Sequence, residues 1–158
     1  MGPSPDQQQL IDRLRRSADD LRQAVARIPP GRHATPPREG EWSARETLIH
    51  LRNAVMMAHG LRIRRLFYET DPAFADYDEA AHRQVSLDAG EAVPELVDAV
   101  VAEHQQIARL LATLPAAEWA RQGRHPELGP MSIEFLARRA AEHAEEHVAQ
   151  IAEIARRV

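Results

Sequence analysis

The sequence has no cysteine, which excludes disulfides, thiolate nucleophiles and cysteine-ligated metals. It has no lysine either. All 20 basic residues are arginine, so Schiff-base and lysine-nucleophile chemistry are excluded as well. Aromatic residues make up only 4%, and no extended run of β-branched residues occurs, which argues against a core built from strands. No apolar run approaches the ~18 residues of a membrane-crossing helix. The opening MGPSPDQQQ lacks the hydrophobic centre of a signal peptide and the hydroxyl residue at position 6 of a myristoylation pattern. A cytoplasmic location is the expectation. An excess of positive charge is also missing. The net charge is -4 and the pI about 6.1, so neither nucleic acid nor an anionic membrane is an expected partner.

What the chain does contain is helix formers. Apolar residues reach 44%, and Ala, Leu, Arg, Glu and Gln are abundant. A length of 158 residues fits one domain, 1–158, with one sizeable core. The first helix is expected to open at SPDQ, with Ser4 as N-cap, Pro5 first in the helix and Gln7 closing a capping box. Leu10, Leu14, Leu21, Val25 and Ile28 follow at helical spacing, and the prolines of PPGRHATPPREG end it. Ser43 and Glu46 open a second helix through another capping box, with Trp42 just outside, and Asp71-Pro72 breaks it. The stretch AFADYDEAAHRQVS reads as either a short helix or an ordered crossover.

A third helix is expected after Gly90, with Pro94 tolerated in its first turn and Val93, Val97, Val100, His104, Ile107 and Leu111 along one stripe. RQGRHPELGP reads as a loop. A fourth helix starts near Ser132 and carries Ile133, Leu136, Ala140, His143, His147, Ile151 and Ile154. None of these helices buries its stripe alone. The expected fold is therefore all-α, a four-helix bundle with a long crossover between the second and third helices.

Histidines interrupt the apolar stripes. His143 and His147, four apart in AAEHAEEHVAQIAEI, lie on one helix face and can aim both imidazoles at one atom. Burying two imidazoles without partners is costly, and a divalent metal held at about 2.0–2.1 Å would use both. The string HAEEH also fits the H-x-x-E-H pattern of inverzincin peptidases, with Glu146 as base, but a 158-residue bundle is the wrong setting for a peptidase cleft. His50, in ETLIHLRNA, is the best third ligand, on a face with Thr47, Ala54, Met57 and Leu61. His104 is a candidate fourth ligand, acid/base or core residue. His59, nine positions after His50, falls on the opposite face at about 100° per residue and is excluded. His33, His82 and His125 fall in loops or unassigned segments, with His125 able to reach the bundle mouth.

These residues carry a resemblance. EWSARETLIHLRNA resembles the Trp-Ser-x-x-Glu-x-x-x-His-Leu segment of the DinB/YfiT-like family. RIRRLFYETDPAFADYDEAA resembles that family's crossover, with its Tyr-Asp pair at Tyr77 and Asp78. The stretch from EHQQIARLL to HAEEHVAQI resembles its second half, and the match runs from Trp42 to Ile154. The resemblance implies a four-helix bundle holding a divalent metal on His50, His143 and His147, the same triad that spacing selects. Relatives often carry an acidic residue a few positions after the first His. Here that stretch is RNAVMM, where Asn53 is expected to take its place in part.

Three neutral imidazoles suit zinc or nickel, with iron or copper as alternatives, and leave a coordination position open. Two reactions are expected from such a centre. In the first, a low-molecular-weight thiol is ionised at the metal and transferred, as the resemblance to thiol-dependent transferases implies; this is the leading expectation. In the second, metal-activated water hydrolyses a small-molecule substrate, with His104, Glu146 or His125 moving the proton. Arg45, Arg62, Arg64, Arg65, Arg121, Arg124, Arg138 and Arg139 are candidates for binding substrate carboxylates. A non-enzymatic metal- or ligand-binding bundle is the remaining alternative. The resemblance also implies a homodimer.

Overall fold

Three of the four rods begin where a serine satisfies the first free amides, and the fourth begins at Ala92 with no side-chain cap. The computed structural model describes Met1–Val158 throughout. Helix α1 spans Pro5–Ala26, with the Gln7 amide donating to Ser4 Oγ at 3.3 Å and the Ser4 amide to Gln7 Oε1 at 2.9 Å. Helix α2, Ala44–Asn53, repeats the reciprocal pair with Ser43 and Glu46. It runs without a break through a π-helical segment, Ala54–Gly60, into α3, Leu61–Tyr68. The crossover carries a short helix α4, Glu79–Asp88, capped by Asp78. Helix α5 spans Val93–Ala112, with Pro94 in its first turn, and α6 spans Ile133–Ala155, where Ser132 Oγ accepts from the Phe135 amide at 3.0 Å. The four rods of the expected bundle are thus α1, the continuous α2-to-α3 rod, α5 and α6. No helix is long and apolar enough to cross a membrane.

RQGRHPELGP, expected as a loop, forms a hairpin: β1, Gln122–His125, pairs antiparallel with β2, Gly129–Ser132. The crossover adds a third line of pairing, with Phe74 N donating to Arg124 O at 2.7 Å and Arg124 N to Pro72 O at 2.9 Å. The hairpin escapes sequence reading because its partner is 50 residues away and its own segments lack β-branched residues. Gly123 permits the contact: a Cβ there would fall 2.6 Å from the Phe74 ring and 2.7 Å from Pro72 O.

The apolar interior is divided. One cluster joins Leu10, Leu14, Ile63, Leu66, Ile107, Leu111 and Trp119. The other joins Leu21, Leu48, Leu51, Leu96, Val100, Ile151 and Ile154. Between them, at the intervening positions of α1, α5 and α6, lie Ser17, His104, His143 and His147, while His59 sits between Val55 and Ile63 of the first cluster. Apolar burial holds each half together, at about 1.5–3 kcal/mol per enclosed aliphatic side chain. The polar layer between them is where the candidate site sits.

Candidate metal centre

The ring nitrogens of His50, His143 and His147 lie within 4.8 Å of one another. His143 Nε2 is 3.0 Å from His50 Nε2 and 3.1 Å from His147 Nε2. Two nitrogens each about 2.0–2.1 Å from one ion must lie within about 4.1 Å of each other, and both separations satisfy this. The outer nitrogens set the tautomers. His50 Nδ1 is 2.9 Å from Glu79 Oε1, and His147 Nδ1 is 2.7 Å from Gln150 Oε1. Both partners are oxygen acceptors, so both Nδ1 atoms carry the proton and both Nε2 atoms present bare lone pairs to the cluster. His143 has at most one proton to offer the two of them. Its Nδ1 is buried without a partner. A cation resolves this convergence of lone pairs, so the residues fit a divalent metal.

Electrostatics agrees with the donor set. Burial pushes the His143 imidazole down to about 2, with His147 and His59 acting in the same direction. Burial also lowers His147, against the opposing hydrogen bond that its Nδ1 donates to Gln150 and the charge of Glu146. Neutral imidazole is the form that binds metal.

Contacts from α4 and the α2 entry enclose His50. Glu79 also pairs with Arg83 at 3.3 Å, the Arg83 guanidinium lies 4.4 Å from the Trp42 ring centroid, and Trp42 sits 5.2 Å from the His50 ring. The expectation that Asn53 replaces the family's acidic residue gains no contact to His50: Asn53 Oδ1 accepts from Arg52 Nε at 2.9 Å. The carboxylate on His50 comes instead from Glu79, 29 residues along the chain, and no spacing rule within α2 could find it.

His59 overturns an expectation. Placed on the far face by regular α-helical rotation, it is buried and packs its ring 5.6 Å from that of His143. The π segment is the reason. A π turn takes up one extra residue, which resets the register by about 100° and brings His59 to within about 80° of His50. The same slip leaves Leu61 half-exposed, although it shares the His50 face in a regular helix. Burial holds the His59 imidazole down at about 3.

His104 is buried on α5, with Nδ1 3.3 Å from Ser17 Oγ. The Ser17 hydroxyl proton is committed to Leu14 O at 2.8 Å, so His104 Nδ1 must be the donor. Its Nε2 is a bare, unpartnered lone pair in the core. Burial pushes His104 down to about 4. Glu146 is exposed, and its charge acts on the adjacent His147. His125 does not open onto the bundle mouth. It is buried in the hairpin, where Nδ1 accepts from the Glu127 and Leu128 amides. His33 follows the 3-10 turn Pro30–Arg32, and exposed His82 packs on Tyr77.

Six of the eight candidate arginines are paired with carboxylates: Arg64 with Glu103, Arg65 with Glu69, Arg121 with Glu118, Arg124 with Asp71, Arg138 with Glu134 and Arg139 with Glu142. Arg45 donates Nε to Glu91 O. Arg62 alone of the eight is fully buried, and it has no acidic partner.

Comparison with known proteins gives a consistent set of relatives. The family model described as the DinB superfamily matches residues 13–151. A protein of Bacillus subtilis named "Putative metal-dependent hydrolase YfiT" is 30% identical over 140 residues, 87% of this chain and 78% of the relative. Proteins of Oceanobacillus iheyensis and Geobacillus kaustophilus with the same descriptive name are 28% identical over 120 residues and 32% identical over 155 residues. The first pairing covers 76% of this chain and 69% of the relative, the second 95% and 84%. The solved structure of YfiT from Bacillus subtilis, described as having "an unusual four-helix bundle topology", superposes with a TM-score of 0.86 at 27% identity, covering 98% of this chain and 89% of that one.

Proposed function

The chain belongs to the DinB superfamily, and from that premise and its histidine cluster we propose that it is a metal-dependent hydrolase acting on a small molecule. The observation that carries the reading is the convergence of three imidazole nitrogens whose outer nitrogens are committed elsewhere. Hydrolysis stands ahead of thiol transfer because it is the reaction in the names of the three relatives.

In this reading His50, His143 and His147 hold the ion, with zinc or nickel best suited to the donor set. A divalent cation there supplies Lewis acidity, favouring the ionised form of water and polarising the bond to be cleaved. The protein does the rest. Glu79 fixes the His50 ring and raises its basicity, and Gln150 does the same for His147 in neutral form. Glu146, exposed beside His147, carries the released proton to solvent. His104, which burial holds neutral, offers an unprotonated Nε2 in the core.

A panel of ester and amide substrates, assayed with the zinc- and nickel-loaded protein, tests the reading. Turnover should vanish in His147→Ala while the helical circular dichroism persists. Turnover surviving that substitution would reject the ligand assignment. Melting scans with low-molecular-weight thiols decide the transfer alternative: a thiol that binds the native state raises the melting temperature.

A further inference from the structure

Arg62 is a buried cation without an ion-pair partner. It is 6% exposed. Of its five N–H donors, Nη2 is spent on Ala75 O at 3.0 Å, and Nη1 meets only the weak acceptor Met131 Sδ at 3.9 Å. Burying a guanidinium without an ion-pair partner is costly, and the Asp76 charge acts on it without forming such a pair. The π face of Phe74, 5.7 Å away, offsets that only in part. The neighbouring Arg65 sits at a similar distance from the same ring but is forked onto Glu69.

Arg62 forms one wall of a cavity of about 90 Å³, with Met57, Leu61, Phe74 and Tyr77 around it. Two residues of the cavity wall are near neighbours along the chain of residues that touch the histidine cluster. Arg62 lies one helical turn beyond His59, which feels its charge and packs on His143. Tyr77 lies two residues before Glu79, which holds His50. Asp76, which also lines the cavity, acts on the guanidinium by its charge but forms no ion pair with it: its Oδ1 accepts from the Tyr77 amide at 2.9 Å and faces His125 Nε2 at 3.6 Å, with most of the side chain in solvent.

We propose that this cavity is a subsite for a short-chain carboxylate, and that the substrate is an amphipathic small anion. Arg62 takes the carboxylate with its free donors. Met57, Leu61 and Phe74 take the attached hydrocarbon. A volume of about 90 Å³ holds about three groups of water size, the carboxylate and two carbons, given that one water occupies about 30 Å³ of liquid. The word substrate rests on the hydrolase reading; the binding does not, because it needs neither turnover nor a metal.

Calorimetric titration of the chelator-treated protein with acetate, propionate, butyrate and hexanoate tests the subsite. Affinity should rise about fourfold from acetate to propionate and then level off through butyrate and hexanoate. Arg62→Met should weaken butyrate roughly tenfold or more. Leu61→Glu, at a half-exposed position on the cavity wall, should do the same without removing a core residue. His147→Ala should leave butyrate binding intact. No binding by the wild type, binding unchanged by both cavity variants, or binding lost only in His147→Ala would each overturn the subsite. Intact, Arg62-dependent binding in a protein that hydrolyses nothing would support the subsite and count against the reaction instead.

Discussion

Glu79 holds His50 through one hydrogen bond, so substituting it separates the orientation of a ligand from its identity. Glu79→Gln should weaken metal binding by about 10- to 100-fold while retaining the three imidazoles. Competition against a chromogenic chelator reads this directly, and an unchanged affinity would dismiss the role. His104 makes a different prediction. Its imidazole titrates near 6.5 when unfolded and at about 4 when folded, so the unfolded chain binds the extra proton between those values. Stability is therefore full above pH 6.5 and lost as pH falls toward 4, by on the order of 3 kcal/mol from this residue. In the metal-free protein, His104→Leu should flatten denaturation midpoints across that window, and an unchanged slope would contradict the assignment. The i,i+4 pair and His50 were legible because ligand spacing on a helix is periodic. Glu79 and His59 were not, since one depends on a crossover docking and the other on a register change.

That register change belongs to the π segment, where Gly60 lets α5 come close. A Cβ at Gly60 would fall 2.1 Å from Glu103 Oε1 and 2.9 Å from Val55 O. The Glu103 carboxylate is clamped by Arg64 and the carbonyl belongs to the backbone, so neither yields easily. Gly60→Ala should cost about 1–3 kcal/mol by overpacking, although alanine is the better helix former. Urea denaturation would measure it, and a stabilised variant would show that the contact is dispensable. The same element explains why its own irregularity was hidden. A run of AVMMAHG looks like ordinary helix, and only the packing of Gly60 on α5 reveals otherwise. The ends of the rods, by contrast, were written locally. Ser4, Ser43 and Ser132 cap where their hydroxyls and following glutamine, glutamate or amide partners require. Helix α4 stayed ambiguous because Ser86 is its only buried residue, which leaves no apolar stripe to read.

Across the whole molecule, a layer of histidines separates two apolar clusters. A bundle of this size would be more stable with aliphatic residues in that layer, and the proposed ion gives the layer its reason. Metal binding to the native state alone adds stability by mass action. Chelation should therefore lower the melting temperature of the wild type and leave that of His147→Ala unmoved. The most direct measurement is the metal content, by elemental analysis after exhaustive dialysis, of the wild type beside His143→Ala. The account expects a single divalent ion per chain in the first and essentially none in the second, with both proteins folded. A metal-free wild type, or equal metal in the two, would contradict it.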